Sequence, residues 1–317
     1  MKFRRSAALA AALLAGALTV AGCGSGDDGS GPSGAKRSVT DATGATVSVP
    51  AAPKRVVALS EPTMDAALAL GVRPVGTTSG RGQTGVAAYL APRAKDVPIV
   101  ANVAQPDLEK IIDLRPDLIL LDETVGAKSV RDKLKDIAPT VLTAKLNAPW
   151  RDAFLATADA LGKKPQAAQW LTGFDTRVSA VKAKLGANAG AVTSVIRWQN
   201  GAPSVVGKGK GHVGETLTAL GLTRPADQRG AGVGHSEPVS LEKLDTIDGD
   251  WLFFGALGDE STSRKALAEA EKTPTFTRLK AAKEKHVVTV DGSAWNSAGG
   301  PLAAGTVLTD VQTAMAS

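Results

Sequence analysis

The chain has 317 residues, 43% hydrophobic and 21% charged, a globular composition that excludes a wholly disordered polymer. Its formal charge of +6 falls to about +3 once Lys2, Arg4 and Arg5 of a predicted leader are set aside, too little to argue for nucleic acid. A single cysteine excludes a disulfide framework or multi-thiolate metal site, and three histidines without HxH or HExxH spacing point to no zinc centre.

The chain opens with a charged stretch, Lys2 to Arg5, then a small and apolar run from Ala7 to Val20 broken only by Thr19. That is the layout of a secretory signal, and the run is short of the roughly 20 apolar residues a membrane span needs. It ends in Val20-Ala21-Gly22-Cys23, which resembles a bacterial lipobox. The resemblance implies that Cys23 is lipidated and becomes the mature N-terminus. An ordinary signal peptide with an incidental cysteine is the alternative. The reading is a leader over 1–22 and a flexible Gly, Ser and Asp-rich tether over 23–38. No later segment reads as a membrane span, so a soluble body tethered to the extracytoplasmic face of the cell membrane is expected.

From residue 39 the pattern alternates. Val39–Thr40 and Val47–Val49 are strand-like, Arg55–Leu59 is a buried strand, Thr63–Leu70 a helix stopped by Gly71, and Pro74–Thr78 a second strand. A glycine-rich loop, Ser79–Gly85, follows. Asp107–Leu114 reads as helix, Asp117–Asp122 as apolar strand, Lys128–Ile137 as helix and Thr140–Thr143 as strand. This alternation predicts an α/β lobe over 39–147 with a largely parallel sheet. Residues 148–187 carry no strand-like run. Pro165 starts a pattern in which Trp170, Phe174, Val178, Val181 and Leu185 recur every three or four residues, predicting a continuous helix of roughly 30 Å. Over 188–317 the alternation resumes: strands Thr193–Gln199, Pro203–Gly207, Asp250–Gly255 and His286–Val290, and helices Gly214–Leu220, Leu241–Ile247, Pro274–Ala282 and Pro301–Met315.

The two lobes share a repeat. Leu108, Glu109, Lys110 and Asp117 match Leu241, Glu242, Lys243 and Asp250 at one constant offset, each set spanning a helix and the strand after it. The alternative is a chance likeness of generic helix–strand units.

At this point the sequence resembles the extracytoplasmic substrate-binding proteins of ABC transporters, in the iron–siderophore and cobalamin group. The resemblance is carried by RVVALSEPTMDAALALGVRPVG (55–76), PDLEKIIDLRPDLILLD (106–122), TSVIRW (193–198), VGETLTALGL (213–222), EPVSLEKLDTIDGDWLFF (237–254) and VDGSAWNSAGGPLAAGTVLTDV (290–311). It implies two Rossmann-like lobes joined by a single long helix, a class III periplasmic-binding-protein-like fold, with ligand in the cleft between them. It implies a binding protein and not an enzyme. It implies a ferric siderophore as ligand, which supplies its own iron donors, so neither a resident cofactor nor a protein metal site is expected. An ABC permease dimer is the implied partner, and the chain is read as a monomer. A helical strut restrains lobe motion more than flexible strands would, so modest closure is expected.

Candidate ligand residues follow from strand ends and chemistry. Arg197 and Trp198 end the first strand of the second lobe, and in the resemblance Arg197 matches a ligand-contacting arginine. Guanidinium donors and flat aromatic walls suit bulky, oxygen-rimmed chelates. Alternation puts Arg197 and Trp198 on opposite sides unless the strand has ended. Trp295 lies in a Gly/Ser-rich loop where the family often places an aromatic contact. The first lobe offers Ser60, Glu61 and Pro62, then Arg81, Gln83 and Tyr89. Lys208 and His212 are further candidates. The alternatives are core packing for the aromatics and a structural ion pair or solvated surface for the arginines. Few cationic candidates and a modest net charge lean the chelate toward the hydroxamate type. The resemblance also assigns Glu109 and Glu242, one per lobe, to salt bridges with the permease. Glu in a first helical turn also complements the helix dipole.

Two motifs read as decoys. Gly209-Lys210-Gly211-His212-Val213-Gly214 fits GxGxxG, but an exported chain has no dinucleotide supply and no acidic residue stands at the next strand end. Ser179 and Lys182 fit SxxK but lack the partner motifs of penicillin-recognising enzymes. Cobalamin or haem delivery is the alternative within the family, and an exported α/β hydrolase the alternative outside it.

Overall fold

The computed structural model describes residues 34–102, 105–123, 130–209, 211–230 and 235–316. The predicted leader, Cys23, most of the tether, Lys128 and Lys210 lie outside the described residues. The body starts earlier than the sequence suggests. Lys36–Thr40 (β1) pairs antiparallel with Thr46–Pro50 (β2), so the last residues assigned to the tether are strand. Asp41 closes the hairpin by accepting from Thr43 N at 2.8 Å and by pairing with Arg131.

The first lobe is built from Val56–Ala58 (β3), Glu61–Ala69 (α1), Gly76–Thr78 (β4), Ala91–Ala94 (α2), Ile99–Ala101 (β5), Leu108–Asp113 (α3), Leu118–Leu121 (β6), Arg131–Lys135 (α4) and Thr140–Leu142 (β7). Its five strands are all parallel, in the order β5-β4-β3-β6-β7. Val56, Val57 and Leu118 to Leu121 are buried on both faces, which is why they read as unbroken apolar runs.

Trp150–Leu161 (α5) and Lys164–Ala183 (α6) follow. Gly162, at φ +69°, ends α5 and turns the chain. At about 1.5 Å per residue, α6 spans roughly 30 Å. Ala167 near its start packs in the first-lobe core, and Phe174, Val178 and Val181 pack in the second. The helix is therefore a strut seated in both cores.

The second lobe holds Thr193–Gln199 (β8), Ala202–Val205 (β9), His212–Ala219 (α7), Trp251–Gly255 (β10), Glu260–Ala270 (α8), Lys280–Lys283 (α9), Val287–Thr289 (β11), Gly292–Trp295 (α10) and Pro301–Met315 (α11). Its sheet order is β11-β10-β8-β9. Only β9 runs antiparallel, folded back through Asn200-Gly201, both at positive φ as a two-residue hairpin turn requires.

The repeat recurs in three dimensions. β6 lies beside β3 in one lobe as β10 lies beside β8 in the other. Asp117, just before β6, accepts the backbone N–H groups of Lys54 and Arg55 at 2.7 and 2.9 Å. Asp250, just before β10, accepts that of Val192 at 2.7 Å. Each carboxylate thus fastens the entry of its lobe's central strand.

Two expected helices differ. Leu241–Ile247 is a 3-10 segment kinked at Lys243. Of the helix expected over Pro274–Ala282, only α9 forms. Phe276 and Leu279 are both drawn into the core, and Asp248 caps the chain at Lys280 N, 2.6 Å away, so the helix starts there.

A candidate ligand-binding cleft between the lobes

In the first sheet the connections leaving β3 and β6 run in opposite directions, to β4 and to β7, so a crevice opens beyond their carboxyl ends, where open α/β sheets bind ligands. Glu61 follows β3 there, and Asp122 and Glu123 follow β6. Beyond the central β8 of the other sheet lies the facing wall. Between them is a cleft of about 470 Å³. The first lobe lines it with Pro62, Arg81, Asp122 and the loop Ala144–Ala148, and the second with Arg197, Lys208, His212 and Trp295.

Arg197 is only 6% exposed, its Nε has no hydrogen-bond partner, and among the described residues no carboxylate pairs with it. Burial, and then the nearby charge of Arg81, lower its basicity. Trp198, the next residue, takes the other side of β8, because the strand runs on to Gln199 and alternation holds. Its ring stacks on Phe254 at 5.8 Å and packs edge-on to Phe276. Trp198 is core and does not line the cleft.

Trp295 borders the cleft at the end of α10, but it is only 1% exposed and its ring is core behind the wall. Its ring stacks on Phe253 at 4.6 Å and its Nε1–H donates to Asp310 Oδ2 at 2.7 Å, so its orientation is fixed from behind. His212 also lines the wall. Its Nε2–H donates to Ala294 O at 2.6 Å, and burial depresses its pKa to about 4, so the ring is neutral near pH 7. The glycine-rich turn before it packs tightly against the helix it precedes. Carbonyl oxygens of Gly209 and Gly207 lie 2.6 and 2.7 Å from where a Gly214 Cβ would be, so acceptors crowd that helix start.

The other first-lobe candidates stand behind the wall. Ser60 caps α1, sharing a reciprocal cap with Thr63, and does not line the cleft. Glu61 accepts the Arg81 backbone N–H at 2.9 Å, and burial lifts its pKa to about 7. Tyr89 is held away from the cleft by its hydroxyl, which donates to Asp65 at 2.9 Å. Ser60 and Tyr89 therefore act inside the fold, and Glu61 positions the loop that carries Arg81.

The sequence reading missed Asp122, Glu123, Lys145, Leu146 and Trp150. The signal was present: the first four follow two recognised strands, where cleft residues belong. Glu123 Oε2 accepts Leu146 N at 3.1 Å and ties those two strand ends together. Ser179 of the SxxK pattern donates to Asp175 O at 2.9 Å, an ordinary helix back-bond. Among the described residues no three His, Cys, Asp or Glu side chains converge as a metal site, and no helix is long and apolar enough to cross a membrane.

The model of the periplasmic binding protein family matches residues 56–294, which takes in the strut and most of both lobes but not β1, β2 or α11. The chain belongs to this family. The family likeness extends to individual proteins. The chain is 31% identical over 284 residues to the probable siderophore-binding lipoprotein YfiY of Bacillus subtilis, covering 87% of each. It is 31% identical over 297 residues to the Fe(3+)-citrate-binding protein YfmC of the same organism, covering 91% of this chain and 90% of that one. Among solved structures, SirA of Staphylococcus aureus complexed with staphyloferrin B superposes with a TM-score of 0.71 at 28% identity, over 87% of this chain and 97% of that one. These are substrate-binding proteins, so the family member described here is a binding protein of class III architecture and not an enzyme.

Proposed function

We propose that the chain is an extracytoplasmic solute-binding lipoprotein, anchored through Cys23, that captures a ferric siderophore between its lobes and delivers it to an ABC importer as a monomer. The leader and tether occupy 1–22 and 23–35, the lobes 36–147 and 188–317, and the strut 148–187. The observation that carries the reading is Arg197: a buried guanidinium without a carboxylate partner, on a cleft wall opposite Arg81. A buried unpaired charge is costly unless something else satisfies it, and a ligand with anionic oxygens does so. Leu146, exposed on the cleft wall, adds apolar surface for the organic arms.

The sequence leaned toward a hydroxamate shell because cationic cleft candidates were few. Arg81, Lys145, Arg197 and Lys208 line the cleft against Asp122 and Glu123, and the positive excess leads us to place an anionic, carboxylate-bearing ferric chelate first. The relative named for Fe(3+)-citrate supports that choice. Iron enters as cargo held by the chelator's own oxygens.

Fluorescence titration of the mature chain is the test, since Trp295 and Trp150 line the cleft. The arms are ferric citrate, a ferric hydroxamate, a ferric catecholate, cobalamin and haem, each iron chelator also without iron. Saturable quenching by ferric carboxylate chelates, weaker with the hydroxamate and weaker still without iron, is expected. No saturable binding in any arm overturns the reading, and a preference for cobalamin or haem replaces it.

A further inference from the structure

Asp65 lies on α1, one helical turn beyond Glu61, and is 0% exposed. It faces away from its own lobe's sheet and into the opposite lobe. Its carboxylate accepts from Gly300 N at 3.1 Å, Leu302 N at 2.7 Å and Ala303 N at 2.9 Å. Those amides open α11, whose first turn has no side-chain cap from its own lobe and whose remaining early position, Pro301, has no N–H. Every backbone donor from Gly300 to Ala303 therefore ends on one carboxylate from the other lobe. Gly300 makes the approach possible: a Cβ there would sit 3.0 Å from Asp65 Cγ and Oδ1.

The residues leading into that cap form the cleft wall. Trp295 to Gly299 line it, and Gly300 follows directly. At the other end of the same helix, Glu61 holds the backbone of Arg81 on the opposing wall. A second contact runs alongside: Tyr89 N donates to Ser293 Oγ at 3.2 Å while the Tyr89 hydroxyl donates to Asp65. One helix of the first lobe thus grips the approach to both walls.

We infer that Asp65 is a positioning residue for ligand capture: by capping α11 of the opposite lobe it fixes where the Trp295–Gly299 wall stands relative to the Arg81 wall. The inference rests on the cleft being the ligand site. It places the rigid contact between the lobes at Asp65, so that a preformed cleft needs little reorganisation to bind.

The test compares Asp65→Asn, Gly300→Ala and Tyr89→Phe with the unaltered mature chain. Asn keeps the shape but turns donors toward the α11 amides, Gly300→Ala pushes the carboxylate away from the other side, and Tyr89→Phe leaves the cap in place. Hydrogen exchange at Leu302 and Ala303 and small-angle X-ray scattering are measured without ligand, and the dissociation rate with ferric citrate. Asp65→Asn and Gly300→Ala should speed exchange at those two amides about tenfold, change the scattering curve, and raise the ferric citrate dissociation constant about tenfold through faster release. Tyr89→Phe removes one donor to Asp65 but leaves the α11 amides on the carboxylate, so it should shift exchange, scattering and release in the same direction by less than either cap variant. A wild-type scattering curve in both cap variants overturns the inference, as does altered scattering with unchanged ferric citrate release. Should Asp65→Asn not fold, Gly300→Ala decides. Should the unaltered chain ignore ferric citrate, the ligand reading fails, while the ligand-free scattering still judges Asp65.

Discussion

Arg197 of the second lobe carries a buried guanidinium that feels the positive charge of Arg81 from the first. Carboxylates stand on the Arg81 side, but among the described residues none pairs with Arg197, so its charge is unfavourable in the ligand-free protein. The same arrangement favours any ligand that brings negative charge to both walls at once. Affinity and stability should therefore respond in opposite directions when it is broken.

Arg197→Met is expected to weaken ferric carboxylate binding by roughly tenfold to a hundredfold, the loss of about 1.5–3 kcal/mol from a charge-assisted hydrogen bond. The ligand-free variant should be as stable as the unaltered protein or more so, because a desolvated, unpaired charge has gone. Titration and thermal unfolding of the same samples check both halves. A variant that binds normally, or one that loses stability along with binding, would count against the role given to Arg197.

Buried acids make stability depend on pH. Burial lifts Glu61 to about 7 and Asp65 and Asp310 to about 6. Each folded value exceeds the unfolded one, so the folded state binds the proton more tightly. The stabilisation from these protons is complete below about pH 4 and disappears as pH rises through about 6 to 7. Glu61→Gln keeps an acceptor for Arg81 N but cannot titrate. Its melting temperature should fall less than that of the unaltered chain between pH 5 and 8, as followed by circular dichroism. Parallel curves would show that Glu61 does not titrate in this window.

The adjacent residues Arg197 and Trp198 separate binding from packing. Trp198→Ala removes a ring wedged between Phe254 and Phe276 and should cost about 3–5 kcal/mol in denaturant unfolding, with little change in affinity while the protein stays folded. Trp295→Phe keeps a ring against Phe253 but loses the bond to Asp310. It should alter the fluorescence response and also cost stability, because the ring is buried in the second-lobe core and Asp310 loses its donor. A loss of affinity without a loss of stability would instead put the Trp295 ring against ligand.

What the sequence disclosed follows from range. Local period and capping placed β3, α1, β6, α6, β8 and α11, and the constant offset between Asp117 and Asp250 announced two lobes of one plan. The three-residue strand β5 carries too little pattern, and the packing of Phe276 overrode a plausible helix. That Arg197 and Arg81 line the cleft was legible from their place at or after strand ends. The roles of Tyr89 and Asp65 were not: their partners Ser293 and Gly300 lie 204 and 235 residues away, and no local pattern encodes such a contact.

Glu109 and Glu242 open the equivalent segments of the repeat, and both side chains are exposed. A helix that leads into a parallel strand starts at the sheet's carboxyl edge, which is the cleft side of each lobe. We propose that the two carboxylates, one on each lobe, form a pair that meets a two-fold partner. Reversing one charge should leave ligand affinity intact and slow importer-dependent iron uptake. Reversing both, Glu109→Lys with Glu242→Lys, should abolish uptake, because charge complementarity governs encounter and like charges repel a cationic docking site. Uptake of radiolabelled ferric chelate by cells carrying each variant, set beside fluorescence affinities of the purified proteins, separates the two effects. Normal uptake by the double variant would leave these glutamates with only their helix-terminal role.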